Sequence, residues 1–417
     1  MEDFIFVFEN FKGLIGFVLS FWWLYVPVLL YSFLVAFYPV YTKMKFISEI
    51  KWVLLEIKAP RDVTRSPKAM ENVFSGLHGI HDKPKPNDAF FKGKTQLWYS
   101  LEMIGRAGDT RFYVRAPEQF KNLVESQFYA QYPNSEITQV SEDHIGSLPP
   151  KPSEEFDVFG AEYIFTKEDA YPIRTYPQFE ELNPSTEPGS VRRVDPLAAM
   201  AEIYSGLNPG EYMGIQILAA PTDDGWVKSG KAVVEELQGK KPKAPQAGVL
   251  SKLVFAIDKL IPGGAPASEE KKEEKREQQT PGQYEVLKAV EASLSKLGFE
   301  CIIRFIYAAP KETFQRARVS ALGGAFKQFN TYNLNGFKWN MRVATLAKQP
   351  FKKRKVARRK MSLLNNFKRR ALINKKMVLN VEELATIYHF PDIVVRSPLF
   401  PRIEAKKGEP PLGLPTG

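Results

Sequence analysis

A single cysteine, Cys301, and four histidines are all that this sequence of 417 residues offers in thiols and imidazoles. One thiol excludes a disulfide within the chain. The apolar run Phe299–Ala308 around it reads as a buried strand in a protein of a reducing compartment. Metal ligation has little to draw on. His78 and His81 stand beside Asp82, only His144 and His389 remain, and loop histidines are the ordinary reading. No Gly-x-Ser-x-Gly elbow occurs and no carboxylate pair stands out, so neither catalysis nor a cofactor is expected. Gly225-Trp226-Val227-Lys228-Ser229-Gly230-Lys231-Ala232 has the spacing of a phosphate loop. Yet Ala232 stands where a hydroxyl should meet magnesium, and no apolar strand ending in Asp follows. The segment reads as an amphipathic helix with a basic solvated face.

Two further absences organise the chain. From Gly13 to Thr42, thirty residues contain no Asp, Glu, Lys, Arg or His. About 20 apolar residues cross a bilayer as one helix, and two crossings would need roughly 40 plus a turn. One tilted transmembrane helix is therefore expected. Trp22, Trp23 and Tyr25 form one aromatic belt, Tyr38 and Tyr41 the other, and the span narrows to 20–42. Phe4–Leu19 is then an entry or interfacial segment. Pro27 bends the helix without breaking it. A cleaved signal peptide fits poorly, because the leader is acidic, the run is long and no small-x-small site follows. Lys43, Lys45, Lys51 and Lys58 follow the helix and only Lys12 precedes it. A single-pass protein of the cell membrane is expected, with its N-terminus outside and its bulk in the cytoplasm.

The second absence is of acid. Phe351–Lys376 holds twelve Lys and Arg and no Asp or Glu, while the net charge is +11, so the remainder is close to neutral. The basicity is a local patch.

Between these landmarks the chain alternates. Trp52–Ile57 reads as a strand. Ser66–Leu77 reads as a helix with Ser66 as N-cap and Met70, Val73, Phe74 and Leu77 on its apolar face. Leu97–Ile104 and Arg111–Arg115 are strands joined by a hairpin loop, Gly105–Asp109. Pro117–Tyr132 is a helix with Phe120, Val124, Phe128 and Tyr132 on one stripe, and Ser135–Val140 a strand. The order β-α-β-β-α-β is the ferredoxin-like motif. It recurs. Ala69-Met70-Glu71-Asn72-Val73-Phe74-Ser75-Gly76-Leu77 is echoed by Ala199-Met200-Ala201-Glu202-Ile203-Tyr204-Ser205-Gly206-Leu207, and four strand-like runs end in Ala-Pro.

The expected fold is thus α+β. An anchor (1–43) precedes a first ferredoxin-like unit (48–142) and a second (155–345), the latter interrupted by a helical, charged insertion and linker (222–282). A basic helical segment (346–380) and a tail (381–417) follow. Within the insertion, Trp226–Leu237 and Val249–Leu260 read as helices, and Gly263–Gly282 as a mixed-charge tether.

The basic segment is the strongest functional signal. Lys352, Lys353, Arg354, Lys355, Arg358, Arg359, Lys360, Lys368, Arg369 and Arg370 would surround a helix with positive charge, alongside a stripe through Met361, Leu363, Leu364 and Phe367. Three readings stand: a nucleic-acid backbone, the anionic inner leaflet, or a solvated connector. Asn330–Trp339 beside it reads either as a base-stacking surface or as an ordinary turn and strand.

The Trp-rich anchor followed by Trp52-Val53-Leu54-Leu55-Glu56-Ile57, Ser66-Pro67-Lys68-Ala69-Met70-Glu71 and Ala130-Gln131-Tyr132-Pro133 resembles the N-terminal region of a bacterial family. These are membrane-anchored type IV secretion or conjugative DNA-transfer ATPases of the coupling-protein and FtsK–HerA kind. Phe326–Thr331, Glu382–Pro391 and Glu409–Pro415 extend the likeness over nearly the whole chain. In that family an ATPase core follows, whereas this sequence carries no phosphate loop or motor residue. The resemblance implies a non-catalytic subunit, or the front part of a split gene, in a homo- or hetero-oligomeric machine. Its expected partners are the lipid bilayer, a separate motor ATPase and DNA. The rival reading is a membrane scaffold unrelated to DNA.

Overall fold

The computed structural model describes residues 20–59, 66–153, 155–182, 191–239 and 280–391. The expected helix Val249–Leu260, nearly all of the charged tether, the run before Ser20, the tail beyond 391 and the Tyr25 side chain lie outside the described residues. The chain divides into two compact units, one of residues 1–52 and 82–97, the other of 53–81 and 98–417.

The first unit is built on helix α1 (Trp22–Glu49), 28 residues long, or about 42 Å at the usual rise. It is the one helix among the described residues long and apolar enough to cross a membrane. Pro27 and Pro39 lie inside it without ending it. Trp22, Trp23 and Tyr41 are exposed, and the rise from Trp23 to Tyr41 is about 27 Å, close to the thickness of a hydrocarbon layer. A short helix, Pro86–Phe91, packs on its C-terminal half.

The second unit is a large antiparallel sheet with helices on it. In chain order its parts are β1 (Trp52–Lys58), α2 (Lys68–Leu77), β2 (Tyr99–Arg106), β3 (Asp109–Pro117), α3 (Lys121–Gln131) and β4 (Glu136–Gln139). Then follow β5 (Phe156–Phe165), a small ribbon of β6 (Glu180–Leu182) and β7 (Val191–Arg193), α4 (Ala198–Ser205) and β8 (Tyr212–Pro221). Helices α5 (Gly225–Leu237) and α6 (Pro281–Leu294) pack on each other through Val233, Val290 and Leu294. The chain continues with β9 (Gly298–Pro310), α7 (Arg316–Lys327), β10 (Phe337–Trp339), α8 (Lys352–Arg369), β11 (Met377–Asn380) and α9 (Val381–Ile387).

The strands run β10-β5-β9-β8-β2-β3-β1-β4, and β11 pairs with the start of β9. The order falls into two quartets, β4-β1-β3-β2 and β10-β5-β9-β8, each reading fourth, first, third, second. They meet edge to edge where β2 pairs antiparallel with β8, Glu102 opposite Gln216.

Local chemistry explains the elements. On α2, Met70, Val73, Phe74 and Leu77 are buried, as their spacing requires. The hairpin between β2 and β3 is tighter than the expected loop. Both strands run on until only Ala107 and Gly108 turn the chain, at φ of 47° and 83°. A two-residue turn with both φ positive matches the strands' twist, so Gly105 and Asp109 stay in the ladder.

Side chains alternate across a strand. On β9, Cys301, Ile303 and Phe305 therefore share the face where Phe305 meets Tyr163 and Trp339. Ile302, Arg304 and Ile306 point the other way. There Ile306 and Ala308 pack with Leu364 and Phe367 of α8, Tyr212 and Leu148. The opening of the segment expected as a tail belongs to the core: Val381, Leu384, Ile387 and Tyr388 are buried.

Candidate functional site

Helix α8 carries the acid-free cluster, and its two ends are unlike. It runs from Lys352 to Arg369 without Gly or Pro, and Leu363, Leu364 and Phe367 are fully buried against the sheet. Two strand glycines admit this stripe. A Cβ at Gly160 would stand 2.5 Å from Leu363 Cδ2, and one at Gly214 would stand 2.9 Å from Phe367 Cζ. The helix stops at Arg370, whose backbone is left-handed at φ 50°. Its amide donates to the Phe367 carbonyl, and the Ala371 amide to that of Asn366. Glycine usually takes this position, because a Cβ there costs about 1–2 kcal/mol. Here an arginine takes it, and its side chain explains why.

Beneath that end lies a row of polar side chains on four adjacent strands: Glu162 on β5, Arg304 on β9, Gln216 on β8 and Glu102 on β2, cross-strand neighbours in register. All four are buried. Arg304 Nη2 donates to Glu162 Oε1 at 2.7 Å and Nη1 to Gln216 Oε1 at 3.0 Å. Gln216 Nε2 donates to Glu102 Oε1 at 3.0 Å. The row then reaches up to the helix. Gln216 donates to the Phe367 carbonyl at 3.1 Å, and Arg304 to the carbonyls of Asn366 at 3.0 Å and Ala371 at 3.2 Å. The Asn366 and Phe367 carbonyls belong to the last turn, where no further turn of helix follows, and each gains a side-chain donor besides its backbone one.

Arg370 completes the fastening. Its Nε donates to Glu102 Oε1 at 2.6 Å, Nη2 to Glu102 Oε2 at 3.0 Å and Nη1 to Asp143 Oδ2 at 2.6 Å. His144 lies between the rings of Tyr113 and Tyr212, its Nε2 2.6 Å from Glu102 Oε2 and its Nδ1 3.0 Å from the Tyr212 hydroxyl. Burial alone would raise the Glu102 carboxyl. The Arg370 guanidinium and then His144 outweigh it and hold that carboxyl well below the usual range. Asp143 is lowered too, its burial being outweighed by its bond to Arg370. Arg370 is raised: burial would lower it, but Glu102 and Asp143 prevail. A charge-assisted lattice of this kind fastens the helix end to the sheet.

The cations expected as contact residues divide into three groups. Lys352, Lys353, Arg354, Lys355, Arg358 and Arg369 are exposed and make no ion pair among the described residues. Arg359, Lys360 and Lys368 are half-buried: Arg359 donates to the carbonyls of Ala344 and Leu346, Lys360 pairs with Asp157, and Lys368 donates to the Leu148 and Pro149 carbonyls. Arg370 is only 2% exposed. Its charge is committed inside the protein and offers nothing to a surface ligand. The free positive charge is thus concentrated in the N-terminal half of α8, with Arg369 alone at the other end. Phe351 just before it is 73% exposed. In Asn330–Trp339, Tyr332 is fully exposed, whereas Phe337 is buried among aromatic neighbours.

The other motifs settle into structure. Gly225 opens α5 directly, with its amide donating to Asp223 Oδ1 at 3.0 Å, and no loop surrounds Lys231. The rings of His78 and His81 stack at 5.6 Å, and His78 Nε2 lies 3.2 Å from the Thr222 carbonyl. Cys301 is fully buried in β9. Among the described residues, no group of His, Cys, Asp and Glu is arranged to hold a metal ion. The polar row escapes reading by composition, but it leaves a trace. Glu102, Glu162, Gln216 and Arg304 are each a polar residue flanked on both sides by apolar ones within its strand.

Fold and site together define a mixed α+β protein with, among the described residues, one helix long and apolar enough to span a membrane and a basic helix clamped to a broad sheet. Residues 42–398 match the family model described as "Domain of unknown function (DUF8128)", and the chain belongs to that family. No curated protein matches it.

Proposed function

We propose that this protein is a non-catalytic, membrane-anchored module of a type IV secretion-like, DNA-translocation machine. Its bulk faces the cytoplasm, and α8 contacts the nucleic-acid backbone beside a separate motor ATPase. In this reading the two strand quartets are ferredoxin-like units joined edge to edge, a body for assembly with further copies or partners. The fourth-first-third-second strand order in each quartet supports that reading.

One observation carries the functional part. The first turn of α8 holds Lys352, Lys353, Arg354 and Lys355 and no acid. A helix N-terminus is the positive end of the macrodipole, where carboxylates stabilise and cations destabilise by about 0.3–1 kcal/mol each. Arg358 extends the cluster on the next turn. Folding gains nothing from charge so placed, whereas a polyanion does.

The test is binding of the full chain, in detergent micelles, to duplex and single-stranded DNA across a salt series. Five phosphate contacts give a slope of roughly −4.5 in log K against log salt on duplex DNA. Neutralising Lys352, Lys353, Arg354, Lys355 and Arg358 together should flatten that slope. A second reading, a scaffold whose α8 lies on anionic lipid, is favoured by the exposed Phe351 beside those lysines. Binding to anionic vesicles with none to DNA would establish that reading in place of the first.

A further inference from the structure

The membrane-spanning reading of α1 leaves one feature of the first unit unexplained, the excursion through residues 82–97 that returns to the helix. It is anchored with unusual definition. Thr42 Oγ1 donates to the Phe90 carbonyl at 3.1 Å. The Tyr38 ring lies 5.5 Å from that of Phe90 and 6.5 Å from that of Phe91. Gly93 is left-handed at φ 67°, and a Cβ there would stand 2.1 Å from the Thr42 carbonyl oxygen. No other residue type admits so close a backbone approach at that φ.

The excursion therefore joins α1 at Tyr38–Thr42, the last uncharged turn before Lys43. There it presents an aromatic side chain outward: Phe91, against Tyr38, is 62% exposed, and Phe37, Val40 and Tyr41 of the same stretch of α1 are exposed as well. Lys85, Lys92 and Lys94 flank it and are exposed, with Lys92 on Asp88 at 2.8 Å. An apolar tip ringed by lysines at the level of an aromatic belt has the composition of a segment seated at the headgroup boundary.

We infer that the short helix Pro86–Phe91 is a membrane-interface foot, which inserts Phe91 beside Tyr38 and Tyr41 into the headgroup–acyl boundary and sets the depth of α1. Its occupant is the bilayer itself. The apolar surface of Phe91 is continuous with that of the spanning helix, and the lysines complement anionic headgroups. The inference rests on α1 crossing the membrane, so the test must read the two separately.

The single native cysteine makes such a test practical, because Cys301 is fully buried and unreactive in the folded chain. Phe91→Cys, Leu30→Cys and Glu118→Cys are each spin-labelled in the full chain reconstituted into phosphatidylcholine vesicles with and without phosphatidylglycerol. Collision with oxygen is compared with collision with a water-soluble nickel chelate. Leu30, mid-helix and exposed, should report hydrocarbon and Glu118 should report water. The label at 91 should lie between them, with an oxygen-to-nickel ratio several-fold above that at 118, and deepen with anionic lipid. A label at 91 matching that at 118 while 30 stays in hydrocarbon overturns the foot alone. Water at position 30 overturns the membrane reading and the foot with it. Gly93→Val, incompatible with the Thr42 contact, should bring the label at 91 to the water value while leaving 30 unchanged.

Discussion

Arg370 and Glu102 lie 268 positions apart in sequence and meet through hydrogen bonds of 2.6 and 3.0 Å, both side chains withdrawn from solvent. The pair closes the polar row over the last turn of α8. It also accounts for a backbone that an arginine would otherwise avoid, since from this left-handed residue the guanidinium reaches both Glu102 and Asp143.

Removing one partner leaves the other charged and buried. Arg370→Met should therefore destabilise the protein by about 3–5 kcal/mol in denaturant titration. The double variant Glu102→Gln with Arg370→Met should recover part of that loss, because no bare charge remains. A loss in the double variant equal to the sum of the losses in Glu102→Gln and Arg370→Met alone would mean that the contact is incidental.

The same pair predicts an acid limb. The Glu102 carboxyl sits below its ordinary value of 4.5 in the folded protein, and Asp143 is shifted in the same direction. A group whose folded value is the lower one stabilises above its unfolded value and loses that contribution as pH falls through the folded one. Melting temperature should decline below about pH 4.5, and less steeply in Glu102→Gln.

Glu383 predicts the opposite limb. It is buried at the start of α9, accepting from the amides of Asn380 and Ile173 at 2.9 Å, and burial pushes its carboxyl up to about 8. The folded protein then holds a proton that the unfolded chain releases. The contribution is complete below the unfolded value and is lost as pH rises towards about 8. Calorimetry between pH 5 and pH 9 should show a decline that Glu383→Gln largely removes.

The seat of α8 is tested at Gly214. A methyl group there would stand 2.9 Å from Phe367 Cζ and 3.0 Å from Ile104 Cδ1, all within side chains. Gly214→Ala should cost about 1–3 kcal/mol through overpacking, and Phe367→Leu in the same chain should restore part of it. Phe367→Ala alone should cost about 3–5 kcal/mol as a cavity.

Much of this was legible beforehand. Apolar spacing on α2, the alternation of strands and helices and the echo between Ala69–Leu77 and Ala199–Leu207 all register local physics, which a sequence displays directly. The hairpin at Ala107-Gly108 was placed but drawn too long, because glycine at 105 reads as turn when its real neighbour is the Tyr204 ring, 2.7 Å from a built Cβ. Arg370 shows the deeper limit. By composition it is one more cation in a basic run. Its burial depends on Glu102, on a distant strand, and on Asp143, in the loop after β4, and no local pattern connects them. What the sequence does display is a polar residue set between apolar neighbours in each of four strands, a signal that becomes a row only once register is known.

The two ends of α8 should respond in opposite ways to mutation, and that contrast separates ligand contact from folding. Lys352, Lys353, Arg354 and Lys355 oppose the helix dipole, and Lys352 with Lys355 and Arg354 with Arg358 form like-charge pairs one turn apart. Lys353→Glu with Arg354→Glu should therefore leave the melting temperature unchanged or raise it by a degree or two, an increment of about 0.5–1.5 kcal/mol. The same change should abolish salt-dependent binding to polyanions, since it reverses charge where contact is proposed. Arg370→Met should lower stability and weaken binding only as far as the helix loosens. A charge-reversed N-terminal turn that destabilises the fold, or that binds DNA and anionic vesicles as tightly as before, would remove α8 from consideration as a contact surface.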